Sequence, residues 1–215
     1  KSFAGVDAFP IVLSTQDTDE IVDTVVRIAP TFGGINLEDI AAPRCFEVES
    51  RLKERLNIPV FHDDQHGTAM VVLAGLVNAL KVAKKSIATV RVVIAGAGAA
   101  GHAIADLLLL AGARDVVALD SKGILFKGRS DLDAPKKQLL EKTNPCDISG
   151  GIGEALAGAD VFVGVSKGNT VTREQVASMA KNAIVFALAN PVPEIMPDEA
   201  KKAGALVVAT GRSDF

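Results

Sequence analysis

Tyrosine and tryptophan are missing from the 215 residues, leaving nine phenylalanines as the whole aromatic complement. No tyrosine of this chain is therefore available to give or take a proton. Only two cysteines occur, Cys45 and Cys146, in no C-x-x-C or metal-type spacing. That excludes a disulfide framework and points to a reducing, cytoplasmic setting. The formal net charge is −3 and no run of lysine and arginine is present, which argues against an electrostatic nucleic-acid binder. The pairs Lys84-Lys85, Lys136-Lys137 and Lys201-Lys202 read as solvated helix faces. No apolar segment reaches the ~18 residues of a membrane span, and no signal peptide is visible at the start. There is no repeat and no low-complexity tract. Lys1 opens the sequence without methionine and Phe215 closes it abruptly, so a piece of a longer protein is expected.

What is present is the composition of an ordinary globular protein, 48% apolar and 23% charged. A chain of this length buries roughly 70% of its unfolded surface and has room for one large domain or two small ones.

Val90 to Ala95 is a short apolar run rich in β-branched residues, the pattern of a buried parallel strand. Gly96, Gly98 and Gly101 follow as G-x-G-x-x-G, and Ala99 to Leu110 then reads as a helix. A second apolar strand, Val116 to Leu119, ends in Asp120, which lies 19 residues after Gly101. Glycines at a strand-to-helix turn let the backbone approach a pyrophosphate, whose charge meets the unpaired N–H groups and positive dipole of the helix start. An acid at the spacing of Asp120 is placed to accept from a ribose hydroxyl. The lone glycine motif is weak. Strand, glycines, helix, strand and terminal acid in that order make dinucleotide binding the reading, against a βαβ unit whose glycines serve packing alone.

Around this stretch the chain alternates strand and helix. Strands are expected at Phe9–Ser14, Ile35–Leu37, Ile58–Phe61, Val161–Val165, Ala183–Leu188 and Leu206–Ala209. Helices are expected from Thr18 to near Pro30 and at Pro43–Leu56, Ala69–Val82, Pro135–Lys142, Ile152–Leu156, Thr172–Met179 and Pro197–Ala203. Lys122 to Asp133 is a polar, Gly-bearing loop or small hairpin. The sum is an α/β fold: a doubly wound parallel (Rossmann) sheet with part of a second, smaller α/β domain. Residues 1–62 are assigned to the smaller domain and 63–211 to the dinucleotide domain, with 212–215 starting a return to the first.

Two acidic pairs stand where strands stop, Glu38-Asp39 and Asp63-Asp64. Carboxyl ends of strands face the ligand crevice in open α/β sheets. Several carboxylates meeting there need a counter-charge, and Mg²⁺ or Mn²⁺, held by oxygens, is the natural one. Spacing alone leaves the alternative open that these acids are water-facing loop residues or helix caps. His62 and His66 are candidate ligands, although histidines beside acids are more often hydrogen-bonded structural groups, and zinc is disfavoured.

The runs INLEDIAAPRCFEVE, IPVFHDDQHGTAMVVLAGLVNAL, VVIAGAGAAG, FALANPVPEI and ATGRSDF resemble the malic enzymes of the compact bacterial or archaeal type, in order over essentially the whole chain. The resemblance implies oxidative decarboxylation of L-malate to pyruvate and CO₂ with NAD or NADP and a divalent metal, Mg²⁺ or Mn²⁺. It implies Glu38, Asp39 and Asp64 as metal ligands and Asp63 as a neighbouring acid that assists the active site. It implies Gly96, Gly98, Ala99, Ala100, Gly101, Asp120, Val165 and Ser166 as cofactor contacts, with Asn190 touching both substrate and nicotinamide. The family's tyrosine acid, lysine base and malate-gripping arginine fall upstream of this sequence. Lys1 resembles a neighbour of that base, and an asparagine following TGRSDF-P falls just past Phe215. The fragment is thus expected to be inactive alone.

A malolactic-type enzyme with the same parts, a non-catalytic dinucleotide-binding module, and another Rossmann dehydrogenase acting on a small acid are the alternatives. The last is weakened by the Glu38, Asp39 and Asp64 constellation. Asp120 favours NAD by charge, although Lys122 is placed to pair with a 2′-phosphate. A homodimer or higher homo-oligomer in the cytoplasm, with no nucleic-acid or membrane partner, completes the expectation.

Overall fold

The computed structural model describes residues 4–212 and residue 214. Lys1, Ser213 and Phe215, to which the sequence reading assigned a neighbour of the base and part of the last motif, lie outside the described residues. The chain divides into two compact units, Lys1–Phe61 and His62–Phe215.

In the first unit, helix α1 (Thr18–Ile28) is opened by Asp17, whose side chain accepts from the Glu20 amide. Asp19 and Glu20 in its first turn and Arg27 in its last complement the helix dipole. A 3₁₀ turn at Ala29–Thr31 leads to strand β1 (Ile35–Leu37), then helix α2 (Arg44–Arg55) and strand β2 (Val60–His62). The strands pair as a two-stranded sheet. Ile21, Val22 and Val25 of α1 bury against Val48 and Leu52 of α2 and against Leu37 and Val60 of the strands. Arg51 reaches Asp19 at 2.6 Å and Arg55 reaches Asp23 at 2.7 Å. Both pairs are largely exposed, so water and salt screen them and each adds little to stability.

The strand expected at Phe9–Ser14 does not form. Phe9 is 70% and Val12 94% exposed. Pro10 lacks the N–H that a ladder requires, and within the unit the described strand pairs are β1 and β2 alone. An apolar run without a pairing partner remains a loop. Strand β2 also begins two residues later than expected.

The second unit carries strands β3 (Arg91–Ala95), β4 (Asp115–Asp120), β5 (Gly123–Ile124), β6 (Val161–Gly164), β7 (Ile184–Ala187) and β8 (Val207–Thr210). Their spatial order is β5-β4-β3-β6-β7-β8, parallel except for the two-residue β5, which runs antiparallel to β4. This is the 3-2-1-4-5-6 order of a doubly wound sheet, whose direction of growth reverses between β3 and β6. The strands alternate sides with period two. Val92 and Ile94 join one core with α3 (Thr68–Ala83), α4 (Ala99–Leu110) and α5 (Ala134–Lys142). Val93 and Ala95 join the other with α6 (Ile152–Leu156), α7 (Arg173–Ala177) and α8 (Pro197–Lys202).

Between β2 and α3 the residues Asp63–Gly67 make one π-helical turn, with the Thr68 N–H bonded to the Asp63 carbonyl. Together they form a 21-residue helical stretch, 63–83, with a window of mean hydropathy 1.4. By length and composition it is long and apolar enough to cross a membrane, whereas the sequence alone shows a shorter apolar run that begins after the acids. Its buried residues Val72, Leu76, Ala79 and Leu80 belong to the core it shares with the sheet.

Candidate nucleotide-binding site

The three glycines of the 96–101 turn do three different things. Gly96 has φ +125°, and a Cβ there would lie 2.6 Å from the Val165 carbonyl oxygen. That contact joins the ends of β3 and β6, where the strand order reverses and where doubly wound sheets bind ligands. A Cβ on Gly101 would lie 1.8 Å from the Gly96 carbonyl oxygen, so glycine is what lets α4 start tight against the turn. A Cβ on Gly98 would meet nothing within 4 Å. Gly98 is exposed and faces open space, which is where an anion can reach the backbone N–H groups of Ala99 and Ala100 at the start of α4. His102, one turn further on, sets its ring nitrogens 2.9 Å from the carbonyl oxygens of Gly98 and Pro135, linking this turn to α5.

The rim continues through the loops after β6 and β7. Val165 donates to the Ala95 carbonyl and Leu188 to that of Gly164, both at 2.9 Å. Ser166 and Asn190 are exposed on these loops. The structure thus brings Gly96, Gly101 and Val165 into contact and places Ser166 and Asn190 on loops of adjacent strands.

Asp120 ends β4, as expected, but its carboxylate is occupied by the protein. Arg129 donates from Nη1 to Oδ1 at 2.8 Å and from Nη2 to Oδ2 at 3.0 Å. The Lys122 N–H reaches Oδ1 at 2.9 Å and Lys136 Nζ reaches Oδ2 at 3.0 Å. Asp131 in turn pairs with Arg129 and Lys122, each at 2.8 Å. A carboxylate offers about four acceptor positions, and all four are used here. Spacing along the chain predicts where Asp120 stands but not its partners. Arg129 lies in the loop read as polar and irregular, and no periodicity marks a side chain that folds back on a strand end.

Burial works against ionisation of Asp120, but Arg129, the Lys122 N–H and Lys136 outweigh it and hold its pKa at about 2. The same pairing holds the Asp131 carboxyl below its ordinary range and raises Arg129. A depressed acid contributes stability that is complete above roughly pH 4 and is lost as pH falls through its folded pKa. Both side chains of the Asp120–Arg129 pair are 8% exposed, so the shift converts to about 2 kcal/mol. Arg129→Ala should lower unfolding free energy at pH 7 by that order and flatten the acid limb below roughly pH 4. Urea unfolding at pH 7 and pH 3 measures it; an unchanged midpoint at pH 7 would exclude the pair as a stabilising element.

The acids read as metal ligands fall in separate stretches. Glu38 and Asp39 are exposed after β1, with the Asn36 amide 3.3 Å from Glu38 Oε2 and Asp39 at φ +56°. Asp63 and Asp64 stand in the π turn, inside the helical stretch that follows β2. A Cβ on Gly67 would lie 2.4 Å from Asp63 Oδ1, so the glycine makes room for that carboxylate. Among the described residues, neither unit gathers three or more His, Cys, Asp or Glu side chains in a group able to hold a metal ion. His62, read as a hydrogen-bonded structural group if not a ligand, is 0% exposed. Neither of its ring nitrogens has a hydrogen-bond partner among the described residues.

Comparison with known proteins gives this geometry a family. Residues 65–213 match the family described as malic enzyme, NAD binding domain, and residues 9–53 match malic enzyme, N-terminal domain. The chain is 58% identical over 216 residues to the bifunctional malic/malolactic enzyme of Bacillus subtilis, covering 100% of this chain and 53% of that protein. It is 53% identical over 215 residues to the NAD-dependent malic enzyme of Geobacillus stearothermophilus, covering 100% of this chain and 45% of that one. The crystal structure of the NAD-dependent malic enzyme of Thermotoga maritima superposes with a TM-score of 0.96 at 51% identity, over 99% of this chain and 57% of that chain. The chain therefore spans about half the length of the curated relatives it matches. With its glycine turn at the β3–β6 reversal and the family match over 65–213, the chain belongs to the malic enzyme family and carries that family's NAD-binding domain.

Proposed function

We propose that the protein containing this chain oxidises and decarboxylates L-malate to pyruvate and CO₂, reducing NAD or NADP. The observation that carries the reading is the turn at Gly96–Gly101, open over Gly98 and closed against Val165, on a chain of this family. The turn seats the pyrophosphate of the dinucleotide against the first N–H groups of α4. Val165, Ser166 and Asn190 line the adjacent rim, where the nicotinamide and substrate are proposed to meet. Asp120 carries a charge already balanced by Arg129 and Lys136, so it does not exclude a 2′-phosphate. Relatives named for either cofactor support leaving both in play.

Glu38, Asp39 and Asp64 are proposed to hold a divalent cation, with Asp63 beside them. Their donors are all hard carboxylate oxygens, which suits Mg²⁺ or Mn²⁺ and not a softer metal. Such an ion, when bound, supplies Lewis-acid stabilisation of the negative charge that develops as CO₂ leaves. In this reading the acid–base groups are carried by the remainder of the protein, consistent with a chain that holds no tyrosine. A homo-oligomer is proposed on the same resemblance.

The test is the full-length protein with L-malate, Mn²⁺ and each nucleotide in turn. Reduced nucleotide and pyruvate in equal amounts are expected, and chelation should stop both. Lactate without net nucleotide reduction would establish the malolactic reading, which the name of the Bacillus subtilis relative favours as second choice. Nucleotide binding without turnover of malate would leave a binding module and overturn the proposal.

A further inference from the structure

Glu194, in the run NPVPEI, is 0% exposed and is used by none of the roles above. Its two carboxyl oxygens each accept one backbone N–H. Ser166 donates to Oε1 at 3.0 Å and Ala189 donates to Oε2 at 3.1 Å. Those amides belong to different loops, one leaving β6 and the other leaving β7, at the carboxyl edge of the sheet. The carboxyl group lies directly over Gly164, the last residue of β6, where a Cβ would stand 2.3 Å from Glu194 Cδ. Glycine at 164 thus leaves the space that the carboxyl fills. Two backbone bonds complete the join, Asn169 N–H to the Pro193 carbonyl and Val171 N–H to the Glu194 carbonyl, both at 3.0 Å.

We propose that Glu194 is a positioning residue: a buried carboxyl clamp that fixes the two rim loops, and with them Ser166 and Asn190, against each other beside the nucleotide turn. The inference rests on the reading of that rim as the nicotinamide and substrate edge. The pocket presents two donors to one planar group, so it needs two acceptors and no donor. Glutamine keeps the length but turns one oxygen into an N–H₂ facing an N–H. Aspartate is one methylene shorter and does not span both amides. The clamp touches neither cofactor nor substrate and acts through the residues next to the amides it holds. Displacement of a reacting group by about 1 Å costs on the order of 100-fold in rate.

The experiment compares Glu194→Gln and Gly164→Ala with the wild type, all as full-length protein. Both variants remove the clamp by different routes, one from the carboxyl and one from the space it occupies. Each is expected to lower kcat roughly 10- to 100-fold, with NADH affinity changed less than about 3-fold, because the glycine turn is untouched. The isotope effect on hydride transfer from 2-deuterated malate should rise, and the double variant should be no worse than the poorer single one. Amide hydrogen exchange should quicken in the segments around Ser166 and Ala189 and stay unchanged at 96–101. If the wild type turns over no malate, the proposed function fails, while faster exchange confined to those two segments still supports the clamp. Unchanged kcat together with unchanged exchange in either folded variant overturns it. Loss of folding in both variants also overturns it, by assigning Glu194 to stability alone.

Discussion

Gly101→Ala should cost the full-length protein at least roughly 100-fold in NADH affinity, equivalent to about 2.7 kcal/mol. A Cβ at position 101 would stand 1.8 Å from the Gly96 carbonyl oxygen and 2.9 Å from its carbon. Both atoms are backbone, so no side chain can swing aside. Either the turn opens, and the N–H groups at the start of α4 no longer converge on one anion, or α4 moves outward. Moving the helix disturbs Ile104 and Leu108, which are buried in the core beneath the sheet. Overpacking of that kind typically costs 1–3 kcal/mol, so the melting temperature should fall by about 5 °C as well. Gly98→Ala is the control. Its backbone, at φ −93° and ψ −160°, suits any residue, and a Cβ there meets nothing within 4 Å. The melting temperature should hold while affinity drops, because the methyl group occupies the space a pyrophosphate needs. Fluorescence titration with NADH and thermal melts separate the two cases. Wild-type affinity in the Gly98 variant would show that the pyrophosphate does not pass over that residue.

Asp64→Asn is expected to abolish metal-dependent turnover, by roughly 1,000-fold in kcat if the ion contributes several kcal/mol of charge stabilisation. Asparagine matches aspartate in shape, so the π turn of Asp63–Gly67 should persist; what it lacks is the charge and one anionic oxygen. A single π turn at a helix entrance re-aims the side chains it carries and is common at functional sites. Because the change is isosteric, NADH affinity should stay within about twofold of wild type. A kcat titration against Mn²⁺ distinguishes a weakened ligand, which saturates at higher metal, from a residue outside the ligand set, which leaves the curve where it was. The latter result would remove Asp64 from the proposed site.

Much of the second unit was legible because its signals are local. The run Val90–Ala95 reads as a strand since four consecutive buried residues there must face both layers, and Ala99–Leu110 reads as a helix to the residue because glycine opens it and a small-residue turn closes it. The doubly wound class follows from alternating strand and helix, whereas the strand order does not, since right-handed crossovers allow more than one. Phe9–Ser14 failed on a non-local requirement: its apolar residues read like a strand, but a strand needs an edge to pair with. The helix at 63–83 was cut short for a different reason. Asp63, Asp64 and His66 look like a loop by polarity, whereas one π turn carries them into the helix without breaking its hydrogen bonding.

The candidate site divides along the same line. Residue order alone determined the glycine turn, the acid at the end of β4 and the acids after β1 and β2, because each is fixed by a short spacing from a strand it follows. Only the tertiary structure decided what those groups face. Arg129 folds back over Asp120 from nine residues away, and Glu194 reaches Ser166 across 28 residues to join two loops. Gly96 meets Val165 because β3 and β6 are neighbours in the sheet though 69 residues separate the pair. Spacing along a chain specifies direction and local conformation, but a hydrogen bond or a close approach depends on which strands pair, and that is set by burial of both faces of the sheet together.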